Sequence, residues 1–193
     1  MKKSSRILIL ILALSLIATY FVPLWNIALD APQYPEGLGM QIWLNKITGD
    51  LNTINGLNHY IGMKTIQPDS IEELKLMPYI IGFIILFGFI VFVFNKKLLL
   101  LSWILIIVIT GTVGMYDFWN WEYDYGHNLN PMAAIKVPGM NYQPPLIGSK
   151  QLLNFTATSL PDIGGFIIFA VGIIATLVLL YEYKYNKSGN VKI

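Results

Sequence analysis

Four uninterrupted apolar stretches, at residues 7–25, 78–94, 98–115 and 161–181, leave this 193-residue chain few ways to fold. At about 1.5 Å rise per residue, helices of these lengths cross a hydrocarbon core of roughly 30 Å with little tilt. None carries a charge in its interior. The stretches explain why 55% of the residues are hydrophobic and only 12% charged, where a soluble domain carries about 25% charge. A secreted or cytosolic enzyme is thereby excluded. The expected fold is an all-α integral membrane domain over residues 1–193, with four transmembrane helices. Two long extracytoplasmic loops, 26–77 and 116–160, are expected to form a small lid with room for short β-strands.

Orientation follows from the basic residues, because cytoplasmic segments retain Lys and Arg. Lys2, Lys3, Arg6, Lys96, Lys97, Lys184, Lys187 and Lys192 fall on one side of a four-span layout, with Glu182 the one acid there. The other side holds five Lys against ten acids. Both termini are therefore expected in the cytoplasm. The first stretch follows basic residues as a signal peptide does, but its apolar run is longer than the usual h-region of roughly 7–15 residues. The following Trp25-Asn26-Ile27-Ala28-Leu29-Asp30-Ala31 also has no clean A-x-A site, so an uncleaved anchor is expected.

Local signals fill in the outer side. Ser70-x-x-Glu73 and Ser159-x-x-Asp162 read as capping boxes, with hydroxyl and carboxylate satisfying the first orphan N–H groups of a helix. Ile71, Leu74 and Met77 share one face of a short amphipathic turn before Pro78 starts the second span. Residues 40–48 alternate in part and end in Gly49-Asp50, which predicts a β-element around 42–47. Trp119-Asn120-Trp121-Glu122-Tyr123-Asp124-Tyr125 alternates strictly, and as a strand would set four rings on one face and the acids on the other. Such rings suit an interfacial aromatic belt, or the stacking of a sugar or lipid. Thr110, Gly111, Gly114, Gly164, Gly165, Ala170 and Gly172 are small residues that suit close helix packing.

Several chemistries are excluded. The absence of cysteine removes disulfides, thiolate metal sites and CxxC redox centres. There is no HExxH, GxxxxGK[ST] or GxGxxG. No histidine lies within a span, so haem held between helices is not expected, and no nucleotide cofactor or nucleic-acid partner is expected either.

The histidines and methionines are distributed unevenly. No methionine occupies the interior of a span, and both histidines lie outside the spans. His59 and Met63 stand in the first loop, and His127, Met132 and Met140 in the second. Thioether and imidazole without thiolate suit Cu(I) in an oxidising compartment, with Asp117, Glu122 and Asp124 as harder ligands for Cu(II). A four-residue spacing on a helix puts His59 and Met63 on one face. The same methionines also suit gap-filling in a packed lid.

The strings Ala31-Pro32-Gln33-Tyr34-Pro35-Glu36-Gly37-Leu38, Asn55-Gly56-Leu57-Asn58-His59-Tyr60-Ile61-Gly62-Met63 and Ile135-Lys136-Val137-Pro138-Gly139-Met140-Asn141-Tyr142-Gln143-Pro144-Pro145-Leu146-Ile147-Gly148 resemble those of a bacterial four-helix membrane-protein family. Members of that family are encoded near nitrous-oxide reductase copper-maturation genes, beside the copper chaperone and the ABC-type maturation proteins. The resemblance covers both outer loops and the span layout. It implies a bacterial inner-membrane protein that takes part in copper delivery or in assembly of an extracytoplasmic copper enzyme, with no catalytic residues to carry over.

Three roles follow. The expected one is a non-enzymatic accessory protein that handles copper through His59, Met63, His127, Met132 and Met140. Its partners would be membrane lipid and a membrane or extracytoplasmic protein. The alternative is a structural subunit of a membrane complex with no metal site. A third is a lipid- or glycan-processing enzyme using Glu122 and Asp124 as a carboxylate pair. The topology is testable directly: reporter fusions at Lys96 and Asn141 should give opposite compartment readouts, and identical readouts would overturn the four-span layout.

Overall fold

The structure, a computed structural model, describes the backbone of residues 1–189 and the side chains of residues 1–184. Its long helices are α1 (Lys3–Ser15, continued by a 3₁₀ turn over Leu16–Tyr20), α3 (Glu72–Phe94), α4 (Lys97–His127) and α5 (Ile163–Gly189). All four are long and apolar enough to cross a membrane. Each is apolar around much of its circumference and buries one stripe. Ile9, Leu12, Ala13, Ile84, Val91, Leu100, Trp103, Val171 and Ala175 interlock as the bundle core, while Ile11, Phe83, Leu105, Ile173 and Leu177 stay exposed on its outside. A helix apolar on all sides is suited either to burial in protein or to crossing a membrane.

The basic residues gather at one end of this bundle. Glu182 is buried there and accepts hydrogen bonds from the Lys2 backbone N–H at 2.8 Å and from Ser5 Oγ at 2.6 Å. Lys97 Nζ lies 3.9 Å from its other oxygen. Arg6 Nε donates to the Phe92 carbonyl at 2.7 Å. Lys192 and the Lys187 side chain, expected at the same end, lie outside the described residues.

At the opposite end stands a five-stranded antiparallel sheet, so the all-α expectation needs correcting. The strands are β1 (Trp25–Ala31), β2 (Tyr34–Ile42), β3 (Ile47–Gly49), β4 (Gly148–Leu152) and β5 (Phe155–Pro161), in the order β3-β2-β1-β5-β4. The β-element expected around 42–47 is met only at its ends: Ile42 and Ile47 pair across the β2–β3 hairpin, and 43–46 form its turn. Trp25, expected to end the first span, starts the central strand instead. Period-two alternation puts Trp25, Ile27 and Leu29 on one face of β1. They stand opposite Ile42, Met40 and Leu38 of β2, and opposite Pro161, Ser159 and Ala157 of β5. Helix α2 (Leu51–Ile61) and the outer turns of α4 cover this face, with Ile54, Leu57, Phe118, Trp121 and Tyr125 packed against the strands.

Four local expectations change in this context. Residues 119–125 are helical, and the strictly alternating rings divide between two faces. Phe118, Trp121 and Tyr125 point to the sheet, whereas Tyr116, Trp119, Tyr123 and His127 form a stacked outer ladder. Neither capping box forms: Ser70 Oγ donates to the Gln67 carbonyl, and Ser159 lies inside β5, where its hydroxyl accepts from Trp25 Nε1 and donates to the Leu146 carbonyl. Pro78 lies within α3, not at its start. Of the small residues expected at close helix contacts, Gly111 and Gly114 have open space around them, whereas Gly164 and Gly165 pack on Pro23 and Leu24; Gly88, outside that set, packs on Ala13 and Trp103.

After α4 the chain folds back over α2 and α4. Tyr142 N–H donates to the Gly126 carbonyl at 2.9 Å. A Cβ at Gly126 would stand 2.3 Å from Gln143 N and 2.4 Å from its Cα, so only glycine lets this strap lie flat on the helix. Forcing a methyl into such a contact costs about 1–3 kcal/mol. Gly126→Ala is therefore expected to lower the thermal unfolding midpoint of the detergent-purified protein; an unchanged midpoint would mean that the strap does not hold the domain together.

Candidate functional site

Between the sheet and its helical cover lies a cavity of about 380 Å³. Ile27, Leu38, Met40, Ile54, Ile66 and Ala157 supply apolar wall, and the cavity extends to the β1–β2 and β4–β5 turns at Tyr34 and Leu153. Tyr60, Ile135 and Leu153 line it while remaining exposed, so it communicates with solvent at that rim. No Lys, Arg or His is among its lining residues.

The elements that enclose the chamber are set by short-range rules. Ile54, Leu57, Asn58 and Ile61 follow helical spacing and face inward from α2. The helix stops at Gly62, whose φ of 84° is left-handed and whose N–H reaches back to the Asn58 and His59 carbonyls. Asn130 N–H then donates to the Gly62 carbonyl at 2.7 Å, and Ile135 N–H to the Tyr60 carbonyl at 2.9 Å. These two bonds dock the strap along the end of α2. Asn55 closes the other side by a paired bond with Ile66, donating to its carbonyl at 3.0 Å and accepting from its N–H at 2.8 Å.

Helix α4 contributes the polar feature. At 31 residues it is roughly 46 Å long, so its last turns stand beyond the apolar stretch at 98–115 and run along the sheet. Glu122 is on that outer part, 0% exposed, and lines the chamber. Neither carboxyl oxygen has a hydrogen-bond partner among the described residues. Burial pushes its pKa from 4.5 up to about 8, because an apolar surrounding disfavours the charged form. Tyr142, on the strap, is 2% exposed, lines the same chamber, and its hydroxyl likewise has no partner. The wall of the chamber therefore holds an unpaired carboxyl and an unpaired phenol among mainly apolar side chains, with the amides of Gln33, Asn58 and Asn154 the other polar lining groups.

The expected carboxylate pair does not form. On a helix, residues two apart diverge, and Asp124 faces outward, where Lys64 Nζ meets it at 2.5 Å and Asn128 also donates to it. These bonds hold the Asp124 carboxyl below its usual range, the opposite direction from Glu122.

The His and Met residues fall into three places. His59 is exposed on α2, with its ring edge-on to Tyr60. Met63 follows the left-handed Gly62, so it leaves the helix and lines the chamber instead of sharing a helical face with His59. Met132 is 85% exposed on the strap segment that docks at Gly62. Met140 sits in a separate turn closed by its N–H on the Val137 carbonyl, and His127 ends α4 with its ring stacked on Tyr123 at 4.0 Å and Nδ1 3.1 Å from the Tyr123 carbonyl. The backbone thus brings the Met132 segment to the end of α2 that carries His59 and Met63. Among the described residues, no three His, Asp or Glu side chains group closely enough to hold a metal ion, so a metal on these segments would draw on thioether sulfur.

Tyr142 carried no signal in the sequence, since one tyrosine in a Pro- and Gly-rich run looks like any other. Glu122 did carry one, as an acid between Trp121 and Tyr123. Comparison with protein-family models and with curated proteins finds no match for this chain.

Between pH 4.5 and about 8 the folded protein keeps a proton on Glu122 that the unfolded chain has released. Its contribution to stability therefore falls as pH rises through that window and levels off above it. Glu122→Gln cannot ionise. Its unfolding midpoint is expected to rise relative to wild type between about pH 5 and about pH 8.5; a gap that does not change with pH would remove Glu122 as the buried acid.

Proposed function

We propose that this is a non-enzymatic, multi-pass membrane protein whose sheet domain binds a small apolar molecule in the chamber between β1, β2, α2 and α4. The observation that carries the reading is a hollow of about 380 Å³ walled mainly by aliphatic and aromatic side chains, with Gln33, Asn58, Glu122 and Asn154 among its polar lining and no basic residue. Its size falls at the lower end of typical ligand pockets, roughly 300–1,000 Å³. The bundle anchors the domain. The basic end, with both termini, faces the cytoplasm of a bacterial inner membrane and the chamber faces outward, as the distribution of Lys and Arg supports.

A second reading, soft-metal handling in copper delivery or copper-enzyme assembly, draws support from the backbone bonds Gly62–Asn130 and Tyr60–Ile135. They join the segments bearing His59, Met63 and Met132, with His127 and Met140 further along the second loop. Metal analysis after Cu(I) loading of wild type, His59→Ala and Met63→Leu tests it, since Met63→Leu removes sulfur at nearly constant volume. Equal copper in all three would exclude these two ligands.

The chamber reading is tested in the full chain reconstituted in nanodiscs. A photoreactive alkyl diazirine should label peptides spanning 54–63 and 118–125 and be competed by excess decane. Leu57→Trp, which fills the chamber, should cut that labelling several-fold while labelling of the bundle helices stays the same. Labelling confined to the bundle would overturn the proposal.

A further inference from the structure

We infer that the chamber selects an uncharged apolar molecule whose head is a carbonyl-type oxygen, held between the Glu122 carboxyl and the Tyr142 hydroxyl. The inference rests on the chamber being a ligand site and adds what the ligand must carry.

Buried polar groups are almost always hydrogen-bonded, and those that are not ask for an explanation. The rest of this domain obeys the rule. Asn55 is paired with Ile66, Asn58 donates to the Lys64 carbonyl, and Trp25, Ser159 and the Leu146 carbonyl form a chain. Among the described residues the buried side-chain oxygens without a partner are those of Glu122, Tyr142 and Asn95. Asn95 is at the far end of the bundle, beside Met1. The other two line the same hollow. They reach it from different elements, and the strap bond from Tyr142 N–H to the Gly126 carbonyl, one turn beyond Glu122 on α4, brings them to the same wall.

The charge around the chamber narrows the ligand. A carboxylate or phosphate head would enter with no Lys, Arg or His to meet it, and an unpaired buried charge is strongly disfavoured. The titratable groups facing the hollow besides Glu122 are Tyr34 from β2, Tyr60 from α2, Tyr125 from α4 and Tyr142 from the strap. The nearby Asp124 and Lys64 neutralise each other on the outside, and His59 and Lys136 are exposed. With no cation to hold Glu122 ionised, the carboxyl keeps its proton. Two unpaired O–H donors then stand in the chamber wall, which Gln33, Asn154 and the already paired Asn58 also line. A carbonyl oxygen has two lone pairs and no hydrogen of its own, so it can accept from both. Ketones, esters and quinones share this chemistry, whether the molecule derives from an acyl lipid or from an isoprenoid quinone.

The test displaces the diazirine probe from the full chain in nanodiscs with decane, 2-decanone, decylamine and decanoate. A monodecanoylglycerol and a decyl-substituted benzoquinone serve as the two source arms. 2-Decanone should displace the probe at about one-tenth the concentration of decane, the ratio expected for two modest hydrogen bonds, and decanoate should be no better than decane. Whichever source arm outcompetes 2-decanone identifies the origin of the ligand. Glu122→Leu and Tyr142→Phe should each lose most of the preference for 2-decanone over decane while still binding decane. Glu122→Gln, whose amide still donates, should keep it, and only wild type should lose it as pH rises above about 8. A preference for decylamine that Glu122→Gln abolishes overturns the carbonyl head in favour of a cation. Equal displacement by all compounds overturns head selection and leaves the chamber as an apolar site. Failure of decane itself to displace the probe overturns the chamber reading as well.

Discussion

The packing of the outer aromatic face of α4 on the sheet is the contact on which the rest of the structure depends. The helix runs for 31 residues without a break, roughly half again as long as a hydrocarbon core requires. Its surplus turns need a second partner. Phe118, Trp121 and Tyr125 supply the apolar face for that partner, and Trp25, edge-on to Phe118 with ring centroids 5.6 Å apart, is the strand residue that receives it. One rigid rod thus joins the bundle to the sheet, and its direction fixes which residue ends up beneath the cover.

That residue is Glu122. On a helix packed through Phe118, Trp121 and Tyr125, position 122 is carried to the same side by the 3.6-residue period. An acid there has either to find a partner or to lose its charge. The fold provides no cation, and the energetic cost of a buried carboxylate favours the neutral acid. Structural acids elsewhere in the protein are treated differently: Glu182 is equally buried but accepts bonds from Lys2 and Ser5 and lies near Lys97. The contrast separates a carboxylate that ties helices together from a carboxyl left without a partner in a cavity wall.

The sheet in turn depends on two junctions with the bundle. Leu24 N–H bonds the Ile42 carbonyl, and the Leu24 and Pro23 carbonyls accept from Asp162 and Gly164. The entry to β1 and the exit from β5 are thereby pinned side by side where α1 ends and α5 begins. The strap from 128 to 147 closes the assembly by backbone bonds at Gly62, Tyr60 and Gly126, positions where a side chain at either glycine would collide with the segment opposite.

What the sequence determined by itself is the existence and approximate position of the four apolar helices. Hydropathy is a local property, and a long uncharged run can satisfy its backbone only within itself when water is absent. It also marked strand structure near 40–48, but set the turn at Gly49-Asp50, whereas the chain turns at 43–46 and Gly49 ends β3. Tertiary structure decided the rest. The central strands β1 and β5 pair across more than half the chain, and no window of sequence records a partner that distant. Residues 119–125 alternate as a strand would, yet they continue the helix begun at Lys97, because continuing hydrogen bonds already nucleated is favoured over starting anew and the helix divides the rings usefully between two faces. Helical geometry then separated Glu122 from Asp124, and the left-handed Gly62 turned Met63 away from His59. The neutral acid in the wall of the chamber that Tyr142 also lines is the product of that arrangement: protonation answers to the surroundings in three dimensions, which are set by elements far apart along the chain.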